Sequence, residues 1–266
     1  MANKPVLPLQ GPAPKEITLP NAPLVSVIAQ VRFPMRLAVR SADRIIGFQD
    51  LICAHYPLLE RQDISSLIVG PGASPTAGGE SSVHWRFSDD THKWVVTLAQ
   101  DFIALETKAY ESRTDFLKRL KIILQAFEET FAPAHMTRFG MRYIDQIKGE
   151  PLTRIATLLR DEVIGVANSL SAPAKQVLTQ IEVTAEPGDL IARWGKLPAN
   201  MTFDPNLVPP IGEDSWFIDL DISKSGESPF LTEAIIETAT LCAERAYAVF
   251  RWMVTKEFLR TYGEGS

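Results

Sequence analysis

The chain has 266 residues, 45% of them hydrophobic and 22% charged. That composition buries a sizeable core and excludes a disordered, collagen-like or low-complexity chain. A formal net charge of −5, from 27 basic and 32 acidic residues, supplies no general positive field, so neither nucleic acid nor a membrane surface is an expected partner.

Residues 1–23 hold six prolines and no periodic pattern, which predicts an extended arm, mobile at its tip. From Leu24, apolar Val25, Val27, Ala29, Val31 and Phe33 alternate with Ser26, Gln30 and Arg32, the period of a half-buried strand. Ser41 stands where it can cap a helix carrying Ile45, Phe48, Leu51, Ile52 and Tyr56 on one stripe, which Pro57 stops. Residues 70–82 read as a Gly/Pro/Ser loop. A meander follows. Val83, Trp85 and Phe87 alternate with His84, Arg86 and Ser88, then Trp94, Val96 and Leu98 with polar neighbours, and a third strand spans 102–109. Ser112-Arg-Thr-Asp115 opens a helix with Phe116, Leu120, Ile123, Leu124, Phe127 and Phe131 on one face. Pro133 closes it, and Phe139, Met141, Tyr143 and Ile147 mark the next strand.

The second half predicts an amphipathic helix over 151–165, strands over 177–185, 189–195 and 199–204, and a Pro-rich loop over 205–214. The last strand places Trp216, Ile218, Leu220 and Ile222 on one face and Phe217, Asp219 and Asp221 on the other. Ser228-Pro229 reads as cap and first turn of a terminal helix of roughly 33 residues, which at ~1.5 Å per residue would reach ~50 Å. Hairpin-length connections make the expected class α+β, with mainly antiparallel sheet and a long C-terminal helix. Behind the arm stand two similar sheet-plus-helix halves, 24–149 and 150–266, ordered like a degenerate duplication and expected to form one cooperative unit. Cys53 and Cys242 both lie inside apolar helical patterns and read as reduced core residues. No run of ~18 apolar residues occurs and Met1-Ala-Asn-Lys-Pro5 is no signal sequence, so a cytoplasmic protein without membrane contact is expected.

The densest polar cluster is Arg138-Phe-Gly-Met-Arg142-Tyr143-Ile-Asp145. On a strand Arg138, Gly140 and Arg142 share a face, giving two guanidiniums expected about 7 Å apart over a glycine, a geometry for gripping a carboxylate or phosphate. The alternative is that these arginines pair with Glu106, Asp219 or Asp221 on neighbouring strands. His84 and Arg86 project from one strand face and complete the set of candidate ligand- or partner-binding residues with Arg138, Arg142, Tyr143 and Asp145. Asp219 and Asp221 form a D-x-D pair able to hold a divalent cation, but no H-x-H, H-E-x-x-H or E-x-K supplies further ligands at suitable spacing. No G-x-S-x-G elbow, phosphate-cradling glycine loop or dinucleotide fingerprint is present. No cofactor is expected.

Several segments together resemble a sporadically distributed bacterial protein family of similar chain length and no established activity. They are Leu19-Pro-Asn-Ala-Pro-Leu-Val25, Trp85-Arg-Phe-Ser-Asp-Asp90, Asp101-Phe-Ile-Ala-Leu-Glu-Thr-Lys-Ala-Tyr110, Arg138-Phe-Gly-Met-Arg-Tyr-Ile-Asp145, and Asp219-Leu-Asp221 with a helix reaching Phe250 and Thr255. The resemblance implies a cytosolic bacterial α+β protein and, by the family's distribution, an accessory role in a defence or toxin-associated system. It assigns no catalytic residue. The residues themselves favour a non-enzymatic module recognising a protein partner or small anionic ligand through a sheet face or the cleft between halves, with self-association through the terminal helix. The second reading is a metal-dependent phosphoester hydrolase centred on Asp219 and Asp221.

Overall fold

In the computed structural model, which describes residues 8–64, 67–68, 76–77, 82–168, 173–205 and 207–263, nine strands join one antiparallel sheet. The strands are β1 (Leu24–Arg32), β2 (Leu58–Ile64), β5 (Ser82–Ser88), β6 (Trp94–Leu98), β7 (Phe102–Thr107), β8 (His135–Lys148), β9 (Thr179–Ala185), β10 (Gly188–Leu197) and β11 (Ser215–Pro229). The two-residue strands β3 (Leu67–Ile68) and β4 (Thr76–Ala77) pair only with each other. The sheet order is β2-β5-β6-β7-β1-β8-β11-β10-β9, which explains the resemblance between the halves. β1 leads through a helix to one outer edge, and a meander returns to pair with β1. β8 leads through short helices to the other edge, and a meander returns to pair with β8. The two starting strands pair antiparallel at the centre, Val27 opposite Tyr143 and Ile28 opposite Arg142, so the halves are fused into one sheet and share one core. Each meander ends in a long helix, α2 (Arg113–Phe131) and α6 (Thr232–Met253).

These two helices and α1 (Ala42–Ile52) cover one face of the sheet, and their apolar stripes meet the alternate strand residues in one buried cluster. Phe116, Leu120, Ile123, Leu124 and Phe127 are all fully or almost fully buried, each worth roughly 1.5–3 kcal/mol in apolar transfer. Ser112 caps α2, its hydroxyl accepting from the Asp115 amide at 3.2 Å. Ser41 occupies the corresponding place before α1 without a side-chain cap. Cys242 is buried, whereas Cys53, at the end of α1, is exposed.

Four local expectations are corrected. Residues 151–165 form three one-turn helices, α3 (Glu150–Thr153), α4 (Ile155–Leu158) and α5 (Asp161–Ile164). The break comes where Leu159 turns extended to bridge Val254. The terminal helix is also broken there: α6 stops at Met253 and Thr255 caps a separate α7 (Lys256–Tyr262). Ser228 and Pro229 continue β11 opposite Met136 and His135 instead of opening α6. Residues 199–204 are no strand, because Asn200 takes a left-handed turn (φ 62°). The expected loop at 70–82 and most of the break near 168–174 lie outside the described residues. The Pro-rich arm is docked from residue 8 onward. Arg245 donates to the Pro8 and Gly11 carbonyls, and the Tyr247 hydroxyl accepts from the Ile17 amide at 2.8 Å.

Candidate functional site

Strand parity divides the six candidate residues. On β8 the odd positions Phe139, Met141, Tyr143, Asp145 and Ile147 face the helices, while Arg138, Gly140 and Arg142 face the opposite, helix-free side. His84 and Arg86 lie on that open side too, but β6, β7 and β1 intervene between their strand and β8, a separation of about 19 Å at ~4.8 Å per strand. The sequence set therefore does not form one site. Burial lowers the His84 pKa, the largest effect, with Arg86 adding to it and Asp101 opposing it, and the ring sits edge-on to Phe102 at 5.3 Å.

On the open side Arg142 and Arg193 are occupied. Arg142 Nε and Nη2 donate to the two carboxylate oxygens of Asp219 at 2.7 and 2.9 Å, and its Nη1 donates to Asp204 at 3.0 Å. Arg193 adds a 3.0 Å bond to Asp219, which is completely buried. Burial pulls the Arg142 pKa down, and the hydrogen bonds and charges of Asp219 and Asp204 outweigh it, so the net shift is upward. The expected 7 Å spacing of the two arginines is also too short: four residues along a strand span about 13 Å. The space over Gly140 holds the guanidinium of Arg138 itself, one nitrogen lying 2.7 Å from where a Cβ would stand, and this side chain reaches Asp221 at 3.8 Å. Asp204 and Phe203 belong to the turn after Asn200. Phe203 stacks on Phe217 at 4.2 Å, clamping the loop over the arginine network. Asp219 is thus held by two arginines, whereas burial outweighs Arg138 at Asp221 and raises its pKa; among the described residues no group of three or more His, Cys, Asp or Glu is placed to hold a metal ion.

The helix side holds a different arrangement. A cavity of about 120 Å³ opens where the two halves meet, between the start of β1, the middle of β8, the entry to α2 and the face of α6, with residues 16–24 as its roof. Its walls are apolar and aromatic, including Leu24, Leu220, Ala243, Ala246 and Phe250. A register shift between Leu24 and Ser26 places Leu24 opposite Asp145. Without that bulge its even parity would turn it to the open side. Tyr110 and Tyr143 meet edge to face at 5.9 Å, and burial raises both phenolic pKa values.

Asp145 is the polar residue at the bottom. It is 4% exposed, lines the cavity, and among the described residues its carboxyl makes no hydrogen bond or ion pair. Burial alone pushes its pKa up to about 7. A buried carboxyl without a donor is costly to keep ionised, so it stands apart from Asp219, which two arginines hold. The mouth carries Glu16, Glu111 and Arg113. Arg113 spans Glu16 at 3.7 Å and Glu244 at 3.3 Å, tying the arm to α6 across the opening. Sequence reading named Tyr143 and Asp145 but missed Leu24, Tyr110, Arg113 and Tyr247 as their neighbours. The available signal was parity: residues 143 and 145 share the face opposite to 138 and 142.

Among the described residues no helix is long and apolar enough to cross a membrane. Compared with protein-family models, curated proteins and solved structures, the chain finds no match.

Proposed function

We propose that this protein is a non-enzymatic, cytoplasmic binding module that holds a small ligand in the cleft between its halves, under the N-terminal arm. The observation that carries the reading is the Asp145 carboxyl, 4% exposed, lining a largely apolar cavity and making no hydrogen bond or ion pair among the described residues. Buried polar groups are nearly always satisfied, and apolar pockets with a few convergent polar groups are the usual form of ligand sites. The open sheet face fits this role less well, since Arg142 is committed to Asp219 and Asp204 and Arg193 to Asp219 and Gln180, and the Arg138 guanidinium folds over Gly140 toward Asp221. Metal-dependent hydrolysis at Asp219 and Asp221 is less favoured, because arginines already hold both oxygens of Asp219 and no third ligand is grouped with the pair among the described residues.

A fragment library screened by thermal shift, against the wild-type protein and Ala246→Leu, tests the reading. Ala246 is buried on the cavity wall, so the larger side chain fills the space. Hits that stabilise the wild type and vanish in a variant with an unchanged circular-dichroism spectrum support the cleft. Hits that persist in the variant place binding elsewhere.

A further inference from the structure

We infer that the occupant of the cleft is a small organic ammonium ion with a compact apolar body, its charged nitrogen paired with Asp145; this rests on the cleft being the binding site. The floor offers a single carboxyl with no donor of its own, so its complement is a donor, and a cationic one gains most where water is excluded. The charged residues lining the cavity are Glu16, Glu111, Asp145 and Arg113, three acids against one base, and Arg113 is already bridged to Glu16 and Glu244. That balance attracts a cation and repels an anion. A bare divalent metal ion is the poorer fit, since Ca²⁺ takes about 6–8 oxygen ligands and the floor provides one carboxyl.

The rest of the cavity selects the body of the ligand. Leu24, Leu220, Ala243, Ala246 and Phe250 present hydrocarbon, and Tyr143 adds an aromatic wall. At about 120 Å³ the space is well below the roughly 300–1,000 Å³ typical of drug-sized ligands, which restricts the occupant to a few carbons or one small ring beside the nitrogen. The roof sets access. Residues 16–24 run along the opening, pinned by the Ile17 amide to the Tyr247 hydroxyl at 2.8 Å and by the Asn21 amide to the Tyr262 carbonyl at 3.3 Å, so the arm narrows the mouth through which a ligand enters. A lysine side chain presented by a partner protein would carry the same ammonium, but the arm held along the mouth crowds the approach of a second chain and favours a free small molecule.

The test is an NMR-detected titration at pH 8 of the full chain with benzylamine, its neutral isostere benzyl alcohol, and the peptide Gly-Lys-Gly, repeated on Asp145→Asn. The inference expects benzylamine to bind wild type at least about tenfold more tightly than benzyl alcohol, a difference of about 1.4 kcal/mol. In Asp145→Asn, which keeps the shape and removes the charge, that preference should disappear while the spectrum stays folded. Equal binding of amine and alcohol to wild type overturns the ammonium assignment, as does a preference that survives in Asp145→Asn. Tighter binding of Gly-Lys-Gly than of benzylamine overturns the small-molecule assignment. Neutral or anionic fragments that bind in the cleft while benzylamine does not would sink the inference and leave the cleft standing. If Ala246→Leu retains every fragment hit, the cleft itself falls.

Discussion

Asp145 should leave a signature in stability even without a ligand. Its pKa of about 7 in the folded chain compares with about 3.9 in an unfolded one. Between those values the unfolded chain has lost the proton and the folded chain retains it. The folded state therefore binds more protons, and stability falls as pH rises from about 4 to about 7. Three units of difference correspond to about 4 kcal/mol. Urea unfolding at pH 5 and pH 8 should show about 2–3 kcal/mol of this decline in wild type, since part of it is complete by pH 5, and a flatter profile in Asp145→Asn, with the variant the more stable protein at pH 8; parallel profiles would contradict the carboxyl's isolation. Arg142 predicts the reverse kind of effect. Arg142→Ala leaves the fully buried Asp219 with Arg193 as its remaining cation, and breaking such a pair costs about 3–5 kcal/mol. Arg142→Lys, which keeps charge but loses the fork, should cost less. A loss under about 1 kcal/mol for Arg142→Ala, measured by denaturant midpoint, would mean the arginine is free for other partners. Arg142 and Asp219 were legible as possible partners from their strand faces. The isolation of Asp145 was not, because the absence of a donor depends on β1, α6 and the arm arriving from distant parts of the chain.

At the scale of elements, local patterns were readable where a segment's own periodicity decides its structure and unreadable where a neighbour decides. The α2 stripe and its Ser112 cap are local, and both are present. Ser228-Pro229 carries a helix-start signature, yet β8 extends far enough to keep pairing with β11 through Pro229. The start of α6 is instead served from outside: Glu128 of α2 accepts from the Thr232 amide at 3.3 Å and hydroxyl at 2.6 Å, placing a carboxylate at the helix N-terminus. Glu128→Ala should therefore lower stability by about 1 kcal/mol, read as a shifted urea midpoint with unchanged slope; no shift would mean the contact is incidental. β2 escaped notice because it is an edge strand whose Glu60-Arg61-Gln62-Asp63 run has no apolar alternation, the composition by which edges resist unwanted pairing. The single helix expected over 151–165 is interrupted by the Leu159–Val254 bridge, a contact between residues almost a hundred positions apart that no local pattern announces.

For the whole molecule, the two halves and the α+β class were visible in the order of elements, since each half repeats strand, connection, meander and helix. Their fusion was not, because it depends on which edges meet. The antiparallel β1–β8 pair makes the centre of the sheet the seam between halves, and the cavity opens at that seam where α6 and the entry to α2 diverge under the arm. The arm was legible as extended, but its docking was not, because proline-rich sequence carries no period to show what it will cover. The claim that this seam is a binding site is tested most directly by methyl-resolved NMR during a benzylamine titration. The account predicts dose-dependent shifts confined to Leu24, Leu220, Ala243 and Ala246 around the cavity. Shifts at Ile28, Ala104, Ile144 and Ile191 on the open face, with the cavity methyls unmoved, would contradict it.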